Sequence, residues 1–134
     1  MTATRRFTPV SDWTDPRHLR GLAGEHAALA YLTACSWSVE SHRFRFGGHD
    51  LDLVVRRGAL VAFVEVKTRQ SVESGPALES IGRRKRRSLE LAAQCWRLRH
   101  GRRDDQYRFD VVTVTGRGAE VRVEHLADAW RLSR

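Results

Sequence analysis

The sequence predicts a single α/β domain, a central mixed β-sheet with helices packed on it in the order α-β-β-β-α-β-β. Three observations carry that prediction. Two stretches, near residues 18–34 and 77–99, place apolar residues at helical spacing. Between and after them lie short runs rich in β-branched and aromatic residues, bounded by glycine and polar clusters. A helix lodged between two sets of strands then calls for layers of sheet and helix around one core.

The elements follow in chain order. Residues 1–17 contain Pro9, Pro16 and scattered polar residues without a period, and are expected to form a loose tail before a domain of residues 18–134. "HLRGLAGEHAALAYLTA" sets Leu22, Ala28, Leu29 and Leu32 at helical spacing, giving a helix over about 18–34. "WSVESHRFRF", "HDLDLVVRR" and "ALVAFVEVKTR" read as three strands, with Arg57-Gly58 as the turn between the last two. "SVESGP" breaks the pattern, and a second helix runs through "ALESIGRRKRRSLELAAQCWRLR". "YRFDVVTVT" is a fourth strand and "AEVRVEHL" a short fifth, followed by a helical turn near Trp130. There is no internal repeat and no low-complexity segment.

The chain has 134 residues, 41% of them hydrophobic, which suits one globular domain. No apolar run approaches the roughly 18 residues of a membrane-spanning helix, and the N-terminus lacks the apolar core of a signal peptide, so a cytoplasmic protein without membrane partners is expected. Cys35 and Cys95 stand sixty residues apart, without the spacing of a zinc site, and are expected to be small buried residues. Lys and Arg number 24 against 16 Asp and Glu, for a net charge of +8. Such an excess fits contact with a polyanion, because basic side chains displace counterions from a phosphate backbone.

Carboxylates stand where apolar residues belong. Along "LVAFVEVKTR", Val61, Phe63, Glu65 and Lys67 share one face of the strand. In the first helix Glu25 falls inside the apolar stripe of Leu22, Leu29 and Leu32. Asp50 and Asp52 share a face of the second strand. Each has an ordinary explanation: a solvated strand-end ion pair, turn-proximal acids, a glutamate reaching past the stripe into water. Together they carry more negative charge than Lys67 can neutralise. Burying unpaired carboxylates costs several kcal/mol each, so a shared cation is the economical solution. A divalent ion held by Asp52, Glu65 and a backbone carbonyl would serve, and Mg²⁺ prefers such oxygen ligands. A metal so held polarises a phosphodiester, and Lys67 beside it would position water or stabilise charge developing on phosphate.

The run Arg83, Arg84, Lys85, Arg86 and Arg87 opens the second helix, as either a solvated face or a phosphate-contacting one. Ile81, Lys85, Ser88, Ala92 and Cys95 follow one helical stripe, which turns Lys85 toward the sheet. Arg69 ends the third strand, and it joins the basic run as a nucleic-acid contact. Asp110 shares a face with Val112 and Val114; it reads as a structural partner of Arg108 and, with Asp50, as a candidate for supporting the site. His49 is a neighbour of the site, not a ligand. Trp37, Trp96 and Trp130 are expected to pack rather than to stack on bases.

"RGLAGEHAALAYL", "HDLDLV", "FVEVKTR", "SGPALESIGRRKRR" and "YRFDVV" resemble, in order, the segments of the YraN-like proteins, a bacterial family with a restriction-endonuclease-like fold. The likeness covers about residues 20–115, and "FVEVKTR" is its most specific part. It implies the PD-(D/E)xK nuclease core shared with archaeal Holliday-junction resolvases. It also implies Asp52 as first acid, Glu65 as second acid, Lys67 as the motif lysine, Glu25 as the helical glutamate and Lys85 as a lysine of the following helix. Where the family shows Gly-Glu-Ile-Asp-Leu, this chain has His49 to Leu53, and Arg43 stands where asparagine is common. The resemblance thus implies a Mg²⁺- or Mn²⁺-dependent endonuclease acting on DNA, of branched or structured form. The alternative is a module that keeps the fold and binds nucleic acid without cutting it. Resolvase-like relatives act as dimers, which leaves a homodimer open; no heptad seam points to one.

Overall fold

The computed structural model describes residues 16–69, 81–116 and 120–132, with side chains from residue 23 onward. Its elements are α1 (Pro16–Ala34), β1 (Ser38–Phe46), β2 (His49–Arg57), β3 (Leu60–Arg69), α2 (Arg83–His100), β4 (Gln106–Thr115) and β5 (Arg122–Arg131). The α-β-β-β-α-β-β order and the mixed α/β class are those the sequence predicts. Of the expected tail, residues 1–15 lie outside the described residues, and Pro16 already opens α1. Proline is at ease there, where its missing N–H has no helical partner.

The five strands lie in sequential order, β1-β2-β3-β4-β5. All neighbours are antiparallel except β3 and β4, which run parallel because α2 crosses over between them. The β2–β3 turn is Gly58-Ala59, with Arg57 paired to Leu60, one position later than the expected Arg57-Gly58. Gly58 supplies the left-handed seat (φ +63°) as the first turn residue, so Arg57 stays in the ladder.

β3 is buried on both faces, which is why its sequence runs apolar without a break. Val61 and Phe63 join Leu89, Ala92, Ala93 and Trp96 of α2 in one core. Ala62 and Val64 join Ala28 and Leu32 of α1 in the other. Trp96 ties the first core to β1 by donating its indole N–H to Ser41 Oγ at 2.8 Å. On the α1 side the helix approaches β3 closely: a Cβ added at Gly24 would lie 2.3 Å from Thr68 Oγ1.

Three expectations are corrected. The helical turn near Trp130 is strand: β5 continues to Arg131, and Trp130 stacks on Phe109 at 4.7 Å and 5°. Its alternation is lost because β5 places three residues between Leu126 and Trp130 where β4 places one between Val111 and Phe109, with Asp128 at φ +54° absorbing the excess. The second helix begins at Arg83, after Gly82 in extended conformation (ψ 176°), rather than near 77; residues 77–80 lie outside the described residues. Cys35 is exposed and Cys95 half-buried rather than buried, because Cys35 falls in the turn after α1 and Trp37, two residues on, takes the core position. Trp37 and Trp96 are buried, and Trp130 packs on the α2-side core, as expected. Among the described residues no helix is long and apolar enough to cross a membrane.

Candidate metal and phosphate site

The β2–β3 ladder ends at Leu53 opposite Val64. The next residue on each strand is acidic: Asp52 and Glu65. Where the rung is lost, the Asp52 side chain replaces it, its Oδ2 accepting the Val66 N–H at 2.8 Å. Burial, then the negative charge of Glu65, push the Asp52 carboxyl well above its ordinary range, although the Val66 N–H opposes them. Glu65 as acceptor of the Asp52 proton, and the charge of Glu25, push it further. Two carboxylates this close cannot both ionise cheaply without a cation.

Glu65 is only 6% exposed. Its Oε2 lies 3.3 Å from Lys85 Nζ, while its Oε1 is buried with no hydrogen-bond partner among the described residues. Strand alternation puts half-exposed Lys67 on the same face as Glu65, and among the described residues Lys67 makes no ion pair. Lys85 therefore reaches the acids from α2, and a buried acceptor is still left over.

Glu25 is buried on the α1 side of the sheet and is heavily engaged. It accepts from His42 Nε2 at 2.7 Å, from Arg43 Nε at 3.3 Å and from Arg43 Nη2 at 3.2 Å. Burial would raise its carboxyl, but these bonds win and hold it below the ordinary range. Consecutive strand residues face opposite ways, so His42 and Arg43 reach one glutamate only because the backbone bends there. Arg43 sits at φ +55°, and beyond it Phe44 turns to the α2 side, over His100. Asp52 lies opposite this bend, between Leu51 in the α2-side core and Leu53 in the α1-side core.

The remaining candidates separate. Asp50 is exposed and 3.7 Å from Arg45. Asp110 is fully buried on the α1 side and does not join the acid pair. It accepts from Arg108 (2.9 and 3.1 Å), His125 Nε2 (2.7 Å) and the Asp128 N–H (3.0 Å). Burial alone would raise it; the bonds lower it. Arg83, Arg84, Lys85 and Arg87 are exposed around the first turn of α2. Arg86 turns inward, its guanidinium 5.0 Å from the centre of the Trp130 ring. Arg69 is half-buried at the end of β3, where its carbonyl accepts the Gly116 N–H at 3.0 Å.

Sequence reasoning missed His42 and Arg43 as partners of Glu25, because a bend that breaks alternation leaves no period to read. It also left His49 idle, whereas its Nδ1 is hydrogen-bonded to Ser88 Oγ at 2.7 Å and pins β2 to α2 one turn beyond Lys85.

The residues fit a hard divalent cation. Two close carboxylates, one pushed well above its ordinary range by burial and by its neighbour's charge, the other with a buried oxygen left unpartnered among the described residues, are a donor set short of positive charge. Among the described residues no three of His, Cys, Asp and Glu converge on one point. Mg²⁺ or Mn²⁺ would take the two carboxylates and fill its remaining positions with water and phosphate oxygens.

The family model of the uncharacterised protein family UPF0102 matches residues 24–114, a span that runs from within α1 to the next-to-last residue of β4. The UPF0102 protein GSU0650 of Geobacter sulfurreducens is 33% identical over 126 residues, 93% of this chain and 98% of its own. A UPF0102 protein of Myxococcus xanthus is 38% identical over 128 residues, 94% of this chain and 96% of its own. One from Anaeromyxobacter dehalogenans is 40% identical over 118 residues, 87% of each chain. With its helical glutamate, its acid pair and its Glu-x-Lys all inside the matched span, the chain belongs to the UPF0102, or YraN-like, family.

Proposed function

We propose that this protein is a metal-dependent nuclease acting on DNA phosphodiesters, with branched or structured DNA as its preferred form. The observation that carries the reading is the acid pair beyond the last β2–β3 rung, with its unpartnered Glu65 oxygen and Lys67 on the same face. The order α-β-β-β-α-β-β with an acid on β2 and Glu-x-Lys on β3 supports a PD-(D/E)xK core for the fold. A cytoplasmic setting belongs to the same reading, and a homodimer would match the two-fold symmetry of a junction.

Asp52 and Glu65 would hold Mg²⁺ or Mn²⁺. Bound there, the ion would supply Lewis-acid activation of phosphate and a lowered pKa for its water. Lys67 is placed to orient that water or to stabilise charge growing on a phosphate oxygen. Glu25 contributes through its charge, since its oxygens are engaged by His42 and Arg43. Arg69, Arg83, Arg84 and Arg87 would hold the backbone without reading bases.

A second reading, a module that binds nucleic acid without hydrolysis, is favoured by Glu25 being locked in an ion pair and by Asp50 lying exposed against Arg45. Mn²⁺ calorimetry on the wild type and on a double Asp52→Ala, Glu65→Ala variant separates the two, followed by cleavage assays on duplex, flap and junction DNA. The nuclease reading expects metal binding lost in the double variant and cleavage lost in Lys67→Ala with DNA binding retained. Salt-sensitive DNA binding with neither metal affinity nor cleavage would transfer support to the second.

A further inference from the structure

We propose that Lys85 is an exchangeable counter-cation: it occupies the acid pair in the metal-free protein and is released to nucleic-acid phosphate when a divalent cation binds. The proposal rests on the metal-binding reading above and adds to it a coupling between metal and DNA.

Three observations carry it. Lys85 Nζ is 3.3 Å from Glu65 Oε2, so it sits on the carboxylate that a cation would need. The Lys85 side chain is 46% exposed while that of Glu65 is 7% exposed, so the pair is a buried anion approached by a cation that still reaches solvent. The third is compositional. Of the 24 basic residues, Lys67 and Lys85 are the only lysines; all others are arginine. Both stand beside Glu65, one on its own strand and the other on α2.

The choice of lysine has a physical meaning. Arginine offers a rigid fork that grips a carboxylate bidentately, as Arg56 grips Asp105 here at 2.6 and 2.8 Å. Lysine is a point charge on a flexible stem and lets go more easily. At residue 85 it neutralises Glu65 without locking it. Its neighbours Arg83, Arg84 and Arg87 are exposed on the same turn, so a released Lys85 joins a row of phosphate contacts. Metal binding therefore makes one more cation available to DNA, and DNA that draws Lys85 away opens the acids to metal. The two ligands bind with positive coupling, which is reciprocal by linkage.

The test is Mn²⁺ calorimetry on the full chain without DNA, with Lys85→Ala, Lys85→Arg and a charge-matched control, Arg103→Ala, in an exposed loop. Circular dichroism checks that each variant is folded. Removing a competing charge from a partly exposed site should tighten Mn²⁺ binding about tenfold in Lys85→Ala. Lys85→Arg should weaken it, and Arg103→Ala should match the wild type. Opposite signs for Ala and Arg at one position are the signature of competition. Equal affinities in Lys85→Ala and Arg103→Ala, or weaker binding in Lys85→Ala, overturn the exchange and leave the metal site standing. No Mn²⁺ binding by any of the four proteins overturns the metal reading and the exchange with it. A second readout uses a DNA duplex: adding Mn²⁺ should steepen the salt dependence of wild-type binding by about one phosphate contact more than it does for Lys85→Ala. An identical gain in both overturns the release to phosphate.

Discussion

Asp52 Oδ2 accepts the Val66 N–H at 2.8 Å, where the next rung of the β2–β3 ladder would have been. A side chain thereby closes the sheet at the point where the strands cease to pair, and its second oxygen is left for other work. The consequence is an acid that supports the fold while its charge strains it.

Asp52→Asn keeps an acceptor for Val66 and removes the charge. Because the folded carboxyl is raised, its contribution to stability is full below the unfolded value and is lost as pH rises through the folded one. In chelator, the variant should be more stable than the wild type by about 1 kcal/mol at neutral pH, the gap closing toward acid. Urea unfolding across pH 4 to 8 reads it, and parallel curves would contradict it.

Asp110 and Glu25 give the opposite pH dependence. Both are lowered, so the stability they contribute is present above the unfolded values of 3.8 and 4.5 and is lost as pH falls through the folded ones. Asp110→Ala leaves Arg108 and His125 facing an empty buried site and should cost about 3–5 kcal/mol. Asp110→Asn should cost less and flatten the acid limb of the stability curve. Acid denaturation followed by circular dichroism distinguishes the two variants.

Gly24 and Thr68 should be coupled. Alanine at 24 meets Thr68 Oγ1 at 2.3 Å, so Gly24→Ala should destabilise the wild type by about 1 kcal/mol. With Thr68→Ala in place the obstruction is gone, and the better helix former should then stabilise by up to about 1 kcal/mol. A double-mutant cycle in urea measures the reversal of sign; additivity would contradict it.

Arg86 should behave unlike its neighbours. It lies over Trp130, so Arg86→Ala should lower stability by about 0.5–1 kcal/mol. Arg84→Ala should leave stability unchanged within error and reduce the salt slope of DNA binding by about one contact. Thermal unfolding and salt-dependent fluorescence anisotropy separate the two roles.

What was legible in the sequence was what repeats. Alternation along β3 placed Glu65 and Lys67 on one face, and helical spacing turned Lys85 toward the sheet, where it meets Glu65. Glu25 was visible as an intruder in an apolar stripe, and it is buried. The failures lie where a period is interrupted. The bend at Arg43 brings His42 and Arg43 to the same side, and the extra residues around Asp128 made the end of β5 look helical. Both are single left-handed residues other than glycine, and nothing in composition announces them.

Helix α2 carries cations in its first turn and in its last, and side chains fasten it to the sheet between them. Trp96, buried and bonded to Ser41, lies eleven residues from Lys85, a distance of roughly 16 Å along the axis. Nearer the cations, Ser88 bonded to His49 and Arg86 packed over Trp130 hold the first turns of the helix to the sheet as well. In the nuclease reading, a polyanion loading the first turn would pull against packing already set by folding, and the arginines would meet it on a stiff support with little backbone freedom to lose.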